Sequence, residues 1–187
     1  MSHTDIVQVA ARWLRASHRC SVVLAEWAGG EGVEIPDAIG WSHGGTWSVL
    51  VEVKVSLSDF RRDISKFRRR FGGMGAERWY LAPSGVVPAG DVPSNWGLAE
   101  VRRGRVHVVV PAPSSRLQRR GGPLLTYEHR SPDLRCDTSH RAEAAALVSA
   151  LRRVKIARGL APLLRSMRAD GVDSEAMQAL DGVNGAS

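Results

Sequence analysis

Residues 46–56 read TWSVLVEVKVS, and the fold turns on how they are read. Val49, Val51, Val53 and Val55 occupy every second position, while Leu50, Glu52, Lys54 and Ser56 fill the alternate ones. Side chains alternate across a β-strand, so this period of two predicts a strand with one valine face and one face carrying two opposite charges. Just downstream, Ser58 is placed to cap a helix in which Phe60, Ile64, Phe67 and Phe71 form an apolar stripe. Arg61, Arg62, Lys66, Arg69 and Arg70 lie off that stripe, and Gly72-Gly73 ends the helix.

Upstream, Thr4 can cap an amphipathic helix over residues 5–16, with Ile6, Val9, Ala10, Trp13 and Leu14 on one face. Cys20–Trp27 reads as a first strand, Gly29-Gly30-Glu31-Gly32 as a turn, and Val33–Trp41 as a second strand. Downstream, Arg78–Ala82 is a further strand and residues 83–95 a Pro/Gly loop. Leu98–Arg102 and Arg105–Val110 form a hairpin turned at Arg103-Gly104. The order is αβββαβ, then ββ, which predicts an α/β fold with a mixed sheet flanked by helices. Residues 1–110 form this core, and residues 111–137 have the Pro, Ser and Gly content of a basic linker. Residues 138–187 form a helical C-terminal extension, whose main helix runs from about residue 139 to Arg158.

The chain has 187 residues, enough for one domain with an appendage. With 43% hydrophobic and 24% charged residues, it has the composition of a folded globular chain. A formal net charge of +7 favours a polyanionic partner, nucleic acid first. Only Lys54, Lys66 and Lys155 are lysines among 26 basic residues, so a chemical reason is worth seeking where a lysine stands. Cys20 and Cys136 are far apart and belong to no CxxC or Cys/His cluster, giving no support to a disulfide framework or zinc site. A reducing cytoplasm is the expected compartment. No apolar run approaches the roughly 20 residues of a membrane span.

The stretch that carries chemistry combines Pro36-Asp37, Glu52-Val53-Lys54 and Glu26. Phosphodiester hydrolysis calls for hard oxygen ligands to a divalent cation, and Asp37 and Glu52 on neighbouring antiparallel strands can supply them. The backbone carbonyl of Val53 can add a third. Lys54 shares a face with Glu52, where its ammonium can orient or help deprotonate the attacking water and offset charge on the phosphate. Arginine suits this work less well, because its proton is effectively permanent. By itself an acid-x-Lys tripeptide arises about once by chance in a chain this long. The flanking valines and the upstream Pro-Asp are what lift it above a solvated ion-pair face.

These residues resemble the PD-(D/E)xK nuclease superfamily, with its restriction-endonuclease-like fold. The likeness spans residues 4–110, with Pro36-Asp37 as the PD, Glu52-x-Lys54 as the ExK, and the αβββαβ order as the core. Residues 51–63, VEVKVSLSDFRRD, together with RWYLAP at 78–83, are similar to the small bacterial MmcB-like DNA-repair nucleases. The resemblance implies Mg²⁺ or Mn²⁺ held by Asp37 and Glu52, and a catalytic Lys54. Many members complete the site with a glutamate on the first helix, whereas residues 5–16 contain none. Glu26 is the nearest substitute, with Glu34 weaker because its odd spacing from Asp37 turns it to the other face.

The helix after the ExK strand packs beside the site, so Arg61, Arg62, Lys66 and Arg69 are expected to meet the DNA phosphate backbone. The expected function is a metal-dependent DNA endonuclease of DNA repair or processing, or of phage or mobile-element DNA metabolism. The alternative is a noncatalytic DNA-binding or partner-binding module on the same fold. Cutting both strands of a duplex would suit a homodimer or an accessory protein partner; no membrane partner is expected. His129, Cys136 and His140 lack metal-ligand spacing, and the tryptophans sit in apolar runs suited to core packing.

Overall fold

The computed structural model describes residues 1–26, 36–65, 73–115, 136 and 138–158. Its elements are α1 (His3–Ala16), β1 (Val22–Ala25), β2 (Ala38–Ser42), β3 (Trp47–Val53), α2 (Leu57–Ile64), β4 (Glu77–Pro83), β5 (Gly97–Arg102), β6 (Arg105–Val110) and α3 (His140–Arg158). The six strands form one sheet in sequential order, β1 to β6. β1, β2 and β3 are mutually antiparallel, β3, β4 and β5 run parallel, and β6 closes antiparallel on β5. The sheet is therefore mixed, as the element order predicts. Residues 27–35, with the expected Gly-rich turn and Glu34, lie outside the described residues, as does the expected continuation of α2 through Phe67 and Phe71.

Both helix starts differ from the sequence expectation for the same reason: an earlier serine satisfies the free N–H groups. Ser2, not Thr4, caps α1, its Oγ accepting from the Asp5 N–H at 3.2 Å while the Asp5 carboxylate accepts from the Ser2 N–H at 2.8 Å. That reciprocal pair is a capping box with aspartate as the acidic partner. Ser56, not Ser58, caps α2 by accepting from the Asp59 N–H at 3.2 Å.

Pairing of Ala38 with Val51 and of Val51 with Trp79 sorts the side chains into two faces. On the first, Val49, Val51, Val53, Trp79, Leu81, Ala99 and Val101 pack against Ile6, Val7, Val9, Ala10, Trp13 and Leu14 of α1. Large apolar side chains buried in this way each contribute about 1.5–3 kcal/mol, so this face supplies most of the cohesion between α1 and the sheet. The valine alternation holds through Val53; Val55 lies past the end of β3 and is 40% exposed. The second face carries Leu50, Glu52, Arg78, Tyr80, Leu98 and Glu100, all buried. β3 is thus covered on both sides, as a strand entering a parallel ladder must be.

The hairpin joining β5 and β6 turns at Arg103 and Gly104, with φ of 50° and 74°. Positive φ at both central residues is what a type I′ turn demands.

The compact unit containing the sheet runs from Met1 to Ala146, past the compositional boundary at 110, and Leu147–Ser187 forms a second unit. The reason lies in Glu143 near the start of α3. Its buried carboxylate accepts from the Trp41 indole at 3.2 Å, the Ser48 hydroxyl at 2.7 Å and the Gly75 N–H at 2.9 Å. Among the described residues no helix is long and apolar enough to cross a membrane.

The α1 face also buries a polar group. Glu77 is fully buried and accepts from the indoles of Trp47 at 3.2 Å and Trp79 at 2.7 Å, with His18 Nδ1 at 3.5 Å. Burial holds the His18 pKa below its usual 6.5, with nearby Glu77 opposing the shift only in part. The folded state therefore favours neutral His18, and its contribution to stability is present above about pH 6.5 and lost as pH falls toward the lower folded value. The urea midpoint is expected to drop between pH 7.5 and 5.5, and His18→Gln should flatten that part of the slope.

Gly97 is a place where no side chain fits. A Cβ there would run into the Trp79 ring and lie 2.7 Å from the Ala112 nitrogen. Gly97→Ala is expected to destabilise the fold by roughly 1–3 kcal/mol, measured by urea unfolding.

Candidate functional site

Asp37 stands one residue before β2, whose first residue Ala38 pairs with Val51 and with Ala25. Carrying both registers one step further sets Asp37 across from Glu52 on one side and Glu26 on the other. The Glu26 N–H indeed donates to the Asp37 carbonyl at 3.2 Å. The three carboxylate residues singled out in the sequence therefore occupy one row at the ends of three strands. Asp37 Oδ2 accepts the Val53 N–H at 2.7 Å. The carbonyl of an extended residue points to the same side as its own N–H, so Val53 turns its carbonyl toward the Asp37 strand. Glu26 is exposed and has φ of 53°.

The charged pair at the end of β3, Glu52 on the strand and Lys54 one residue past it, is buried, unlike an ordinary surface ion pair. Glu52 is 4% exposed and Lys54 5%, and Lys54 Nζ lies 3.3 Å from Glu52 Oε2. The same ammonium is 3.6 Å from Asp63 Oδ1 on α2. The other oxygen of Asp63 accepts from the Tyr80 hydroxyl at 3.1 Å. Tyr80 in turn is held edge-on by Phe60, centroids 5.0 Å apart, and stacked on Trp96 at 4.4 Å.

Three residues were missed in the sequence. Asp63 carried a usable signal: three positions after Phe60, it falls on the buried stripe of α2, where an acidic residue is out of place. Tyr80 pairs with Glu52 across parallel strands, a relation that no local pattern encodes. His3, in the first turn of α1, brings Nε2 to 3.1 Å from Asp37 Oδ1. Of the expected DNA contacts, Arg61 and Arg62 are exposed, while Lys66 and Arg69 lie outside the described residues. Arg62 is 3.9 Å from Asp59, an exposed i,i+3 pair of little energetic weight. Cys20 and Cys136 are buried free thiols, and burial with nearby Glu77 pushes Cys20 up to about 12. His140 is exposed, Cys136 donates to the Asn95 carbonyl at 3.4 Å, and His129 lies outside the described residues.

Among the described residues no group of three or more His, Cys, Asp or Glu side chains converges as a metal cluster. Asp37, Glu52 and the Val53 carbonyl offer hard oxygens, the ligand type that Mg²⁺ and Mn²⁺ take, and Mg²⁺ uses only one or two protein carboxylates beside waters and substrate phosphates.

No family model and no curated protein matches the chain. Among solved structures, it is similar to the SPO1766 protein of unknown function from Silicibacter pomeroyi, with a TM-score of 0.54 and 21% identity over 84% of this chain and 92% of that one. At that identity the likeness concerns the fold: a mixed α/β architecture with a six-stranded sheet and flanking helices.

Removing one member of a buried ion pair leaves an uncompensated charge, which costs about 3–5 kcal/mol. Lys54→Ala should therefore lower stability by an amount of that order. Adding Asp63→Asn to it should recover part of the loss, a non-additivity to be read from a double-mutant urea cycle.

Proposed function

We propose that this chain is a divalent-metal-dependent DNA endonuclease with a restriction-endonuclease-like PD-(D/E)xK core. The observation that carries the reading is the row of Asp37 and Glu52 on adjacent antiparallel strands, with Lys54 buried against Glu52 on the same face. A surface strand has no need of a lysine 5% exposed between carboxylates; a site that hydrolyses phosphodiesters does.

In this reading Asp37, Glu52 and the Val53 carbonyl would hold the cation; Glu26, exposed and joined to Asp37 only through the backbone, does not converge with them as a third carboxylate. When bound, the cation supplies Lewis acidity and neutralises charge at the scissile phosphate. Asp37 is oriented for this by the Val53 N–H on Oδ2 and by His3 on Oδ1. Lys54 aims the attacking water at phosphorus and offsets the negative charge that grows as the water oxygen bonds and the ester oxygen leaves. Its burial strengthens that effect, because electrostatics are screened less away from bulk water. The net charge of +7 and the exposed Arg61 and Arg62 on α2 suit a polyphosphate backbone, read without base specificity. The pathway is DNA repair or processing, or phage or mobile-element DNA metabolism.

The test is cleavage of supercoiled, linear and single-stranded DNA with Mg²⁺, Mn²⁺ or EDTA. Glu52→Gln and Lys54→Arg serve as controls, the latter keeping a cation between the carboxylates. Cleavage should require metal and fall by about 100-fold or more in both variants. DNA that is bound but stays intact under every condition would replace this reading with a noncatalytic binding module.

A further inference from the structure

We propose that Asp63 is a positioning residue for Lys54, itself oriented by Tyr80, so that the working unit of the site includes α2 and β4 as well as the acid-x-Lys strand. The inference rests on the reading of Lys54 as catalytic. It adds to that reading the two residues that decide where the lysine points.

Lysine ends in a compact charge on a flexible four-carbon stem, with three donors free to rotate. A single carboxylate two residues away on the same strand lets that stem swing about one contact. Two carboxylates on different elements define a position, and Lys54 has both, Glu52 at 3.3 Å and Asp63 at 3.6 Å. Both distances exceed the 2.7–2.9 Å of a fully formed charge-assisted bond. The ammonium therefore sits between its partners, with donor capacity left for a substrate oxygen or water.

Glu52 cannot hold the lysine alone if it also serves a cation, because one carboxylate would then answer to two positive groups. Asp63 lies on a different element from the cation's donor set, on α2, 2% exposed, with Phe60 as the neighbouring buried residue. Its own orientation is built in depth. Tyr80 donates to Oδ2 while Lys54 Nζ lies 3.6 Å from Oδ1, and the Tyr80 ring is fixed by Phe60 at 83° and by Trp96 stacked at 20°. On a helix whose apolar anchor, Phe60, is already present, the buried Asp63 carboxylate is turned toward Lys54.

The experiment reads Lys54 directly. With only three lysines in the chain, carbon-13 labelling at Cε yields three methylene signals, and Lys54→Arg identifies the one that disappears. In the wild type that signal should show two inequivalent protons and restricted motion. Asp63→Asn should collapse it toward a solvent-exposed lysine, and Tyr80→Phe should produce the same change in smaller measure. In the cleavage assay, kcat should fall by about 100-fold in Asp63→Asn with KM for DNA unchanged, the cost of a misplaced group rather than of lost binding. If Asp63→Asn does not fold, Tyr80→Phe decides by the same two readings.

Wild-type cleavage combined with an unmoved Lys54 signal and unmoved kcat in the variants overturns the inference alone. A rise in KM at constant kcat overturns it as well. A wild type that cuts nothing while Asp63→Asn still releases Lys54 overturns the nuclease reading and leaves the positioning of Lys54 by Asp63 standing.

Discussion

A lysine ammonium taken out of water must find negative charge, and the second face of this sheet is arranged around that requirement. Lys54 is 5% exposed, so its desolvation has to be offset by carboxylates brought from different parts of the chain. Glu52 comes from two residues earlier, at the spacing that keeps it on the same face. Asp63 comes from the helix that follows, which explains why α2 must lie against β3 and β4 at this point. Tyr80, Phe60 and Trp96 then fill the space around the pair, and their packing sets the distance between helix and sheet.

The two faces of the sheet divide the labour. Under α1, valines, Trp79 and Leu81 provide apolar cohesion, and the buried Glu77 carboxylate there accepts from two indoles and lies beside His18. On the far face the polar groups gather past the end of the antiparallel β2–β3 pair, where Glu52 and Asp63 meet Lys54. The change from antiparallel to parallel pairing occurs at β3, so the strand bearing Glu52 is covered on both sides and cannot slip. A register shift of one residue would turn Glu52 and Lys54 under α1 and the valines onto the charged face. The apolar face thus holds the charged face in place.

Much of this was legible locally. The period of two in residues 46–56, the Arg103-Gly104 turn and the order of elements follow from short-range rules of strand alternation and turn geometry. Where the reading slipped, a local competitor won: Ser2 and Ser56 took the helix caps because their hydroxyls reach the N–H three residues on, while Thr4 and Ser58 fall inside the first turns. The weight of Asp63 was half-legible, since its place beside Phe60 on the helix stripe was visible but its partner was not. Glu143 shows the opposite case. Nothing near it in the sequence hints that its carboxylate ties Trp41, Ser48 and Gly75 together, because those groups lie on the sheet and its edge.

By itself the sequence determined the order of strands and helices, which face of β3 is apolar, and that Glu52 and Lys54 share the other. These are consequences of backbone geometry within a few residues. Only the tertiary structure decided that the pair is buried, that Asp37 sits across from Glu52 with His3 beside it, and that Asp63 and Tyr80 close around the lysine. Such relations depend on strand pairing and helix docking over tens of residues. They are settled by the free energy of the whole packed sheet, which no local pattern carries.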